Sequence, residues 1–114
     1  ILTHTNHADD LELFVRLTLP KNDSALIDFS CKFGAQPALA AELLHRVRDV
    51  SPRIGLCLHV GTQTLDPAIY TKAINIAGDV IRASHVSVDV LDVGGGFPVD
   101  YGDGSYVPPR ADFI

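Results

Sequence analysis

The sequence contains no methionine, no tryptophan and only two cysteines among its 114 residues. Cys31 and Cys57 have no zinc-ligand spacing, and we expect two reduced, buried thiols rather than a disulfide. The first residue is Ile1 and not the methionine with which translation starts. We therefore expect residues 1–114 to be one domain, or part of one, within a longer protein.

Positive charge and long apolar runs are also scarce. Nine Lys and Arg stand against fourteen Asp and Glu, for a formal net charge of −5, which argues against a nucleic-acid partner. The longest uncharged apolar run, residues 54–60, is far shorter than the roughly 20 residues of a membrane helix. No secretory signal pattern is visible. These absences predict a cytoplasmic globular domain that engages neither nucleic acid nor membrane.

Hydrophobic periodicity predicts three strands. Residues 11–19 alternate apolar and other side chains with a period of two. Residues 54–60 form a nearly continuous apolar run, typical of a strand buried on both faces of a parallel sheet. Residues 86–93 predict a third strand, which leads into three consecutive glycines. Residues 25–33 are ambiguous between loop and strand.

Two helices are predicted between these strands. Pro37 suits the first turn of a helix over residues 37–50. Asp66 and Pro67 suit the start of a second helix that runs to about Ser84. Apolar spacing assigns core-facing positions to both helices. They are Leu39, Leu43, Leu44 and Val47 in the first helix, and Ile69, Ala73, Ile76, Ala77, Val80 and Ile81 in the second.

Strands alternating with helices predict parallel βαβ units and an α/β fold. Either an open doubly wound sheet or an arc of a (β/α)8 barrel fits this order. A whole barrel takes about 250 residues, so the chain would supply roughly three to four βα units of one. In both architectures, ligands bind at the carboxyl ends of the parallel strands.

Residues that could bind a ligand or take part in a reaction lie at two of these strand ends. Residues 94–96 are glycines, whose backbone N–H groups can present a surface for phosphate, although a plain sharp turn fits equally well. The dinucleotide fingerprint fails, because Val99 stands where its third glycine belongs and Pro98 blocks helix entry. This failure disfavours an open-sheet nucleotide-binding module. His59 ends the second strand, where a flat imidazole can stack on an aromatic ligand, titrate near neutral pH or bind metal.

Each of these residues also has a simpler interpretation. A histidine on an apolar strand is more often a satisfied core residue, and no second ligand at suitable spacing supports a metal site. Thr62 suits a phosphate oxygen, or it merely caps the following loop. Arg16 interrupts an apolar strand and is either a snorkelling surface residue or an anion partner in the mouth of a barrel.

Four short segments of the sequence resemble the motifs of one protein family, in the same order and at similar spacing. They are residues 15–17 (VRL), 32–35 (KFGA), 59–63 (HVGTQ) and 91–98 (LDVGGGFP). Together they resemble the fold-type III pyridoxal-phosphate decarboxylases, in the ornithine decarboxylase branch. The resemblance spans about residues 11–101. It implies a partial (β/α)8 barrel that binds pyridoxal 5'-phosphate at its mouth.

The resemblance also implies residue roles. It implies that His59 stacks on the pyridine ring and takes part in catalysis, and that Thr62, where many relatives have serine, helps to bind the cofactor. Gly94, Gly95 and Gly96 would hold the phosphate through backbone N–H groups, and Arg16 would lie near the cofactor. Lys32 would lie towards a dimer interface and would not be the Schiff-base lysine.

The resemblance implies a decarboxylase of ornithine or lysine that makes a diamine for polyamine biosynthesis, in a homodimer. The Schiff-base lysine, the carboxylate on the pyridine nitrogen and the C-terminal β domain would lie outside residues 1–114, so these residues alone are expected to be inactive. Diaminopimelate or arginine decarboxylation is an alternative. A homologue that has lost the cofactor and binds a partner protein is another.

Overall fold

The chain forms a three-stranded parallel sheet in the order β1-β2-β3, with a helix in each crossover. The computed structural model describes residues 1, 3–6, 9–30 and 32–113. In chain order the elements are β1 (Glu12–Arg16), α1 (Pro37–Arg48), β2 (Arg53–Cys57), α2 (Ala68–Ser84), β3 (Val90–Asp92) and a final 3-10 turn (Arg110–Phe113). The strands β1 and β3 and both helices lie within the segments predicted for them, whereas β2 begins one residue before the predicted residues 54–60 and ends three residues earlier.

The alternation predicted for the first strand is confirmed. Val15 and Leu17 are buried, whereas Phe14 and Arg16 on the other face are exposed. The ladder continues beyond β1, because Leu17 N–H donates to the Cys57 carbonyl at 2.8 Å. Residues 25–30 and 32–33 are mainly loop, and one bridge joins Ile27 to the turn that follows β2.

The third strand is shorter than residues 86–93, and Asp89 provides the reason. Its carboxylate accepts the Ile54 N–H at 2.9 Å and an Arg48 hydrogen bond at 2.6 Å. A side chain therefore takes a backbone donor that a longer β3 would have used. Val86 and Val88 still pack against the core, but as loop residues.

Helix α1 buries Leu44 as predicted, but two alanines, and not Leu39, complete its buried stripe. Ala40, Ala41 and Leu44 are buried, while Leu39 is 49% exposed, so its assignment to the core was wrong. Because α1 and α2 contact each other, we attribute the rotation to small side chains, which allow two helices to approach closely. Leu43 and Val47 flank the core, as predicted.

Asp66 and Pro67 predict the start of helix α2 to within one residue, since Pro67 takes the N-cap position and the helix begins at Ala68. The Asp66 carboxylate accepts the Ala68 N–H at 2.9 Å and so satisfies one unpaired donor of the first turn. The buried stripe includes a position that the apolar pattern overlooked, Tyr70. The fully buried positions are Tyr70, Ala73, Ala77, Val80 and Ser84. Within the described ranges, no helix is long and apolar enough to cross a membrane.

Candidate functional site

The carboxyl ends of the three strands meet at one edge of the sheet. Arg16 pairs in register with Cys57, and Cys57 pairs with Asp92. Laterally paired residues point to the same face of a sheet. His59 follows Cys57 by two positions, and the glycines follow Asp92, so the structure brings Arg16, His59 and residues 94–96 to one edge.

The loop after β2 and the glycine loop (residues 94–96) touch backbone to backbone. A Cβ at Gly96 would lie 1.9 Å from the Gly61 carbonyl oxygen, and one at Gly94 would lie 2.4 Å from the Leu58 carbonyl oxygen. Both glycines have positive φ, +94° and +71°. Glycine is therefore required by this contact as well as by the conformation of the turn.

The His59 ring lies alongside the glycine loop. Its atoms are 3.1–3.5 Å from the positions that Cβ atoms would take at Gly94, Gly95 and Gly96. Nδ1 accepts the Gly61 N–H at 3.1 Å, so the neutral ring carries its proton on Nε2. The Phe29 ring meets it edge-on, with centroids 5.3 Å apart. The imidazole is thereby fixed in both orientation and tautomer.

Burial, and then the nearby charge of Arg16, lower the pKa of His59 below its usual value, while the Asp92 charge opposes this. The unfolded chain then binds more protons than the folded chain between a pH of about 6.5 and the lower folded pKa. The stabilising effect of the neutral ring is therefore complete above that range and is lost as pH falls through it.

We expect the His59 Cε1–H proton resonance of the full-length protein, before cofactor is added, to titrate below pH 6.5. His59→Phe assigns the resonance by removing it. An inflection at or above 6.5 would contradict this electrostatic account.

Two amides of the glycine loop have no acceptor among the residues that the structure describes. The Gly94 N–H donates to Asp92 Oδ1 at 2.8 Å. The N–H groups of Gly95 and Gly96 donate to no described residue, although both carbonyls accept hydrogen bonds. The loop therefore offers two adjacent donors rather than three, and such pairs bind anions readily.

Arg16 and Thr62 lie at the same edge, with different surroundings. The Arg16 side chain is exposed, and its guanidinium carbon lies 5.0 Å from the centroid of the Phe33 ring. The Thr62 backbone pairs with residues 26 and 27, and its hydroxyl makes no hydrogen bond to a described residue. Their roles in cofactor binding stay predictions.

Residues 22–30 cover the turn after β2, and Asn22 anchors them. Asn22 is 5% exposed, and its Nδ2 donates to the Val60 carbonyl at 2.6 Å and to Thr64 Oγ1 at 3.1 Å. Its Oδ1 accepts the Ser24 N–H at 3.0 Å. This anchor keeps the segment that carries Phe29 in place beside His59.

We expect Asn22→Ala to lower the free energy of unfolding by about 2 kcal/mol, because the buried Val60 carbonyl would lose its Asn22 donor. The midpoint of chemical denaturation measures the change. Asn75→Ala, at an exposed position of α2, is the matched control and should be neutral or slightly stabilising. Equal midpoints for the two variants would contradict the anchoring role.

Sequence reasoning missed several supporting residues. Asn22, Phe29 and Tyr70 had no motif, although Tyr70 shares the spacing of the buried stripe of α2, and that spacing is a usable signal. Cys57 is a free thiol whose pKa burial raises, which favours the protonated form. Cys31 lies outside the described residues.

This arrangement fits a phosphorylated aromatic cofactor. Gly95 has room for a Cβ beside His59, whereas Gly94 and Gly96 fit against neighbouring backbone carbonyls. The N–H groups of Gly95 and Gly96 donate to no described residue. The His59 ring supplies a flat neutral surface beside them. The Arg16 cation at the neighbouring strand end favours an anion.

Comparison with known proteins agrees with this fit. The sequence model described as "Pyridoxal-dependent decarboxylase, pyridoxal binding domain" matches residues 2–109. The lysine/ornithine decarboxylase of Selenomonas ruminantium is 37% identical over 77% of the chain, and the ornithine decarboxylase of Neurospora crassa is 39% identical over 80%. The chain spans only 23% and 19% of their respective lengths.

Two solved structures resemble the fold. A mutant SrLDC in complex with PLP matches with a TM-score of 0.68 and 34% identity, over 81% of this chain and 25% of the other. The Paramecium bursaria Chlorella virus arginine decarboxylase, bound to agmatine, matches with a TM-score of 0.65 and 26% identity, over 88% and 28%. The prediction of a partial (β/α)8 barrel is thereby confirmed over an open doubly wound sheet.

Proposed function

The chain belongs to the pyridoxal-binding domain family of pyridoxal-dependent decarboxylases, and we propose that it is the ring- and phosphate-binding part of such an enzyme. The full protein would decarboxylate ornithine or lysine to a diamine for polyamine biosynthesis. It would act as a cytoplasmic homodimer, with residues 1–114 forming part of its barrel domain. The relatives named for ornithine and lysine support this substrate class.

One observation carries the proposal. The ring of His59 lies beside two glycine amides that donate to no described residue, at the carboxyl edge of the sheet. A flat ring beside an anion-binding loop matches a cofactor that is itself a flat ring with a phosphate group. Neither feature alone would select this cofactor from other anions or aromatic ligands.

Each residue of the site has a definite task in this proposal. The Gly95 and Gly96 amides bind phosphate oxygens, and Arg16 adds positive potential. His59 stacks on the pyridine ring, and its neutral state avoids a second positive charge next to a ring that works best when protonated. Thr62 adds a hydroxyl donor, and Lys32 lies towards the partner subunit.

Bound pyridoxal phosphate supplies an electron sink for the carbanion left by loss of CO2. The chain's own residues bind and orient that sink. The lysine that carries the cofactor, the carboxylate on the pyridine nitrogen and the groups that grip the distal amine of the substrate would come from parts of the protein outside residues 1–114.

The choice of ornithine or lysine rests on resemblance rather than on a contact with substrate. The Phe97 ring stacks on Tyr70, with centroids 4.7 Å apart and an interplanar angle of 10°. The Phe97 ring therefore packs against α2, and residues 97–98 support the choice of substrate only through the resemblance. The arginine decarboxylase, at 26% identity, is a weaker sequence match than the 37% and 39% relatives.

The test is cofactor binding and CO2 release by the full-length protein. Addition of pyridoxal phosphate should produce a new absorbance band between about 300 and 500 nm, and borohydride reduction should fix the cofactor to a lysine outside this chain. CO2 release is then compared for ornithine, lysine, arginine and diaminopimelate. A folded protein with no band would contradict the proposal and indicate a homologue that binds a partner protein instead.

A further inference from the structure

The hydroxyl of Tyr70 reaches the glycine loop from helix α2. It donates to the Gly95 carbonyl at 3.2 Å, and the residue is only 6% exposed. The ring is held by the stack with Phe97 and by an edge contact with Phe113, whose centroid is 5.7 Å away. These contacts fix the position of the Tyr70 hydroxyl.

That hydrogen bond determines the direction of an amide on the other side of the same peptide. The Gly95 carbonyl and the Gly96 N–H belong to one peptide unit, and the described part of the chain contains no cis peptide. In a trans peptide the C=O and N–H point in opposite directions. A carbonyl held by Tyr70 therefore turns the Gly96 N–H away from α2, where no described residue accepts it.

The Val93–Gly94 and Gly96–Phe97 peptides have other anchors, whereas the Gly94–Gly95 peptide makes no hydrogen bond to a described residue. Asp92 accepts the Gly94 N–H at 2.8 Å, and the Thr64 N–H donates to the Gly96 carbonyl at 2.9 Å. Among described residues, only Tyr70 holds the Gly95–Gly96 peptide by a hydrogen bond. Glycines on both sides place little steric limit on the rotation of this peptide, so its orientation depends on the Tyr70 hydrogen bond.

The donor is available at every working pH. Burial raises the pKa of Tyr70 to about 12, so the hydroxyl keeps its proton. An ionised oxygen would repel the Gly95 carbonyl, but that state does not arise near neutral pH.

We infer that the Tyr70 hydroxyl is a positioning group that aims the Gly96 amide at the cofactor phosphate. The inference rests on the proposed function, because it assigns the phosphate to this loop. The expected effect of Tyr70 is limited to binding of the phosphate group. Contacts with the pyridine ring should be independent of Tyr70.

The experiment compares pyridoxal phosphate with pyridoxal, which lacks the phosphate, in the full-length protein. Dissociation constants come from absorbance or fluorescence titration. In Tyr70→Phe the dissociation constant for pyridoxal phosphate should rise roughly three- to tenfold, as for the loss of one ordinary hydrogen bond, while that for pyridoxal stays the same. The melting temperature of each variant, without cofactor, checks that it folds.

Tyr106→Phe is the matched control, because Tyr106 is 74% exposed and the same atom is removed. It should change neither constant. An equal rise for both ligands in Tyr70→Phe, or no rise for either, would overturn the inference. A wild-type protein that binds neither ligand would instead refute the proposed function, so the two failures are distinguishable.

If Tyr70→Phe lowers the melting temperature markedly, Phe97→Leu provides the comparison. It weakens the aromatic stack but keeps the hydroxyl. A structural effect alone predicts the same loss of pyridoxal phosphate affinity in both variants at equal loss of stability, and this result would also overturn the inference. A positioning effect predicts the larger loss in Tyr70→Phe.

Discussion

Gly96→Ala is expected to abolish binding of pyridoxal phosphate and to lower the free energy of unfolding by about 3 kcal/mol or more. The methyl group would lie 1.9 Å from the Gly61 carbonyl oxygen, and φ of +94° is strained for alanine. The obstacle is backbone, which cannot rotate away as a side chain can. Cofactor titration and chemical denaturation of the full-length protein measure both effects.

Two alanine variants serve as controls for Gly96→Ala. A Cβ at Gly95 would lie 3.5 Å from His59 Nε2, an ordinary contact, and φ there is not in the left-handed region. Gly95→Ala should therefore fold with nearly unchanged stability. Gly78→Ala, in the interior of α2, should be neutral or stabilising by up to about 1 kcal/mol. If Gly95→Ala and Gly96→Ala lowered the free energy of unfolding by similar amounts, that result would contradict the backbone contact between the two loops.

The elements of the fold could be predicted because their signals are local. Apolar periodicity located all three strands and both helices, and Asp66 with Pro67 located the start of α2. The errors have tertiary causes. Leu39 is exposed because α1 is rotated on its neighbours, and β3 is short because Asp89 takes the Ile54 N–H. In both cases the partner lies far away in the sequence, so local spacing does not reveal the contact.

The candidate site was predictable only in part for the same reason. Parallel strands place their carboxyl ends at one edge, so residues at those ends could be grouped from the sequence. The contacts that shape the site join distant segments. Asn22 reaches the Val60 carbonyl, 38 residues away, and Tyr70 reaches Gly95, 25 residues away. No spacing rule predicts which polar side chain anchors which loop.

The glycine triplet illustrates this limit. From the sequence, the glycines indicate a flexible, exposed backbone that suits phosphate. In the structure, Gly94 gives its N–H to Asp92, and Gly96 fits against the Gly61 carbonyl. Gly94 and Gly96 therefore have different tasks in the same triplet, and only the fold distinguishes them.

Substitution of His59 is expected to have the second large effect, and two variants separate the two roles of the residue. The flat ring is proposed to stack on the cofactor, and Nδ1 accepts the Gly61 N–H at 3.1 Å. His59→Phe keeps a flat ring but loses the acceptor. His59→Asn loses the ring but retains an oxygen suited to accept the N–H two residues further on, as in an Asx turn.

The affinity for pyridoxal phosphate should depend on whether the side chain at position 59 is a flat ring. Stacking of this kind contributes about 1–3 kcal/mol, so His59→Asn and His59→Ala should raise the dissociation constant about tenfold to a hundredfold. His59→Phe should retain most of the affinity. Turnover of the full-length protein should fall in the same order, because a loosely held cofactor is poorly oriented.

Stability should depend instead on whether the side chain at position 59 accepts a hydrogen bond from the Gly61 N–H. His59→Phe and His59→Ala leave the Gly61 N–H without its partner at a buried position, at a cost of about 1–3 kcal/mol, whereas His59→Asn should cost less. Denaturation midpoints measured without cofactor test this order. The stacking role would be refuted if Phe, Asn and Ala at position 59 gave the same cofactor affinity. If cofactor affinity tracked the denaturation midpoints across the three variants, His59 would act by supporting the Gly61 turn, and the ring itself would have no direct part in binding.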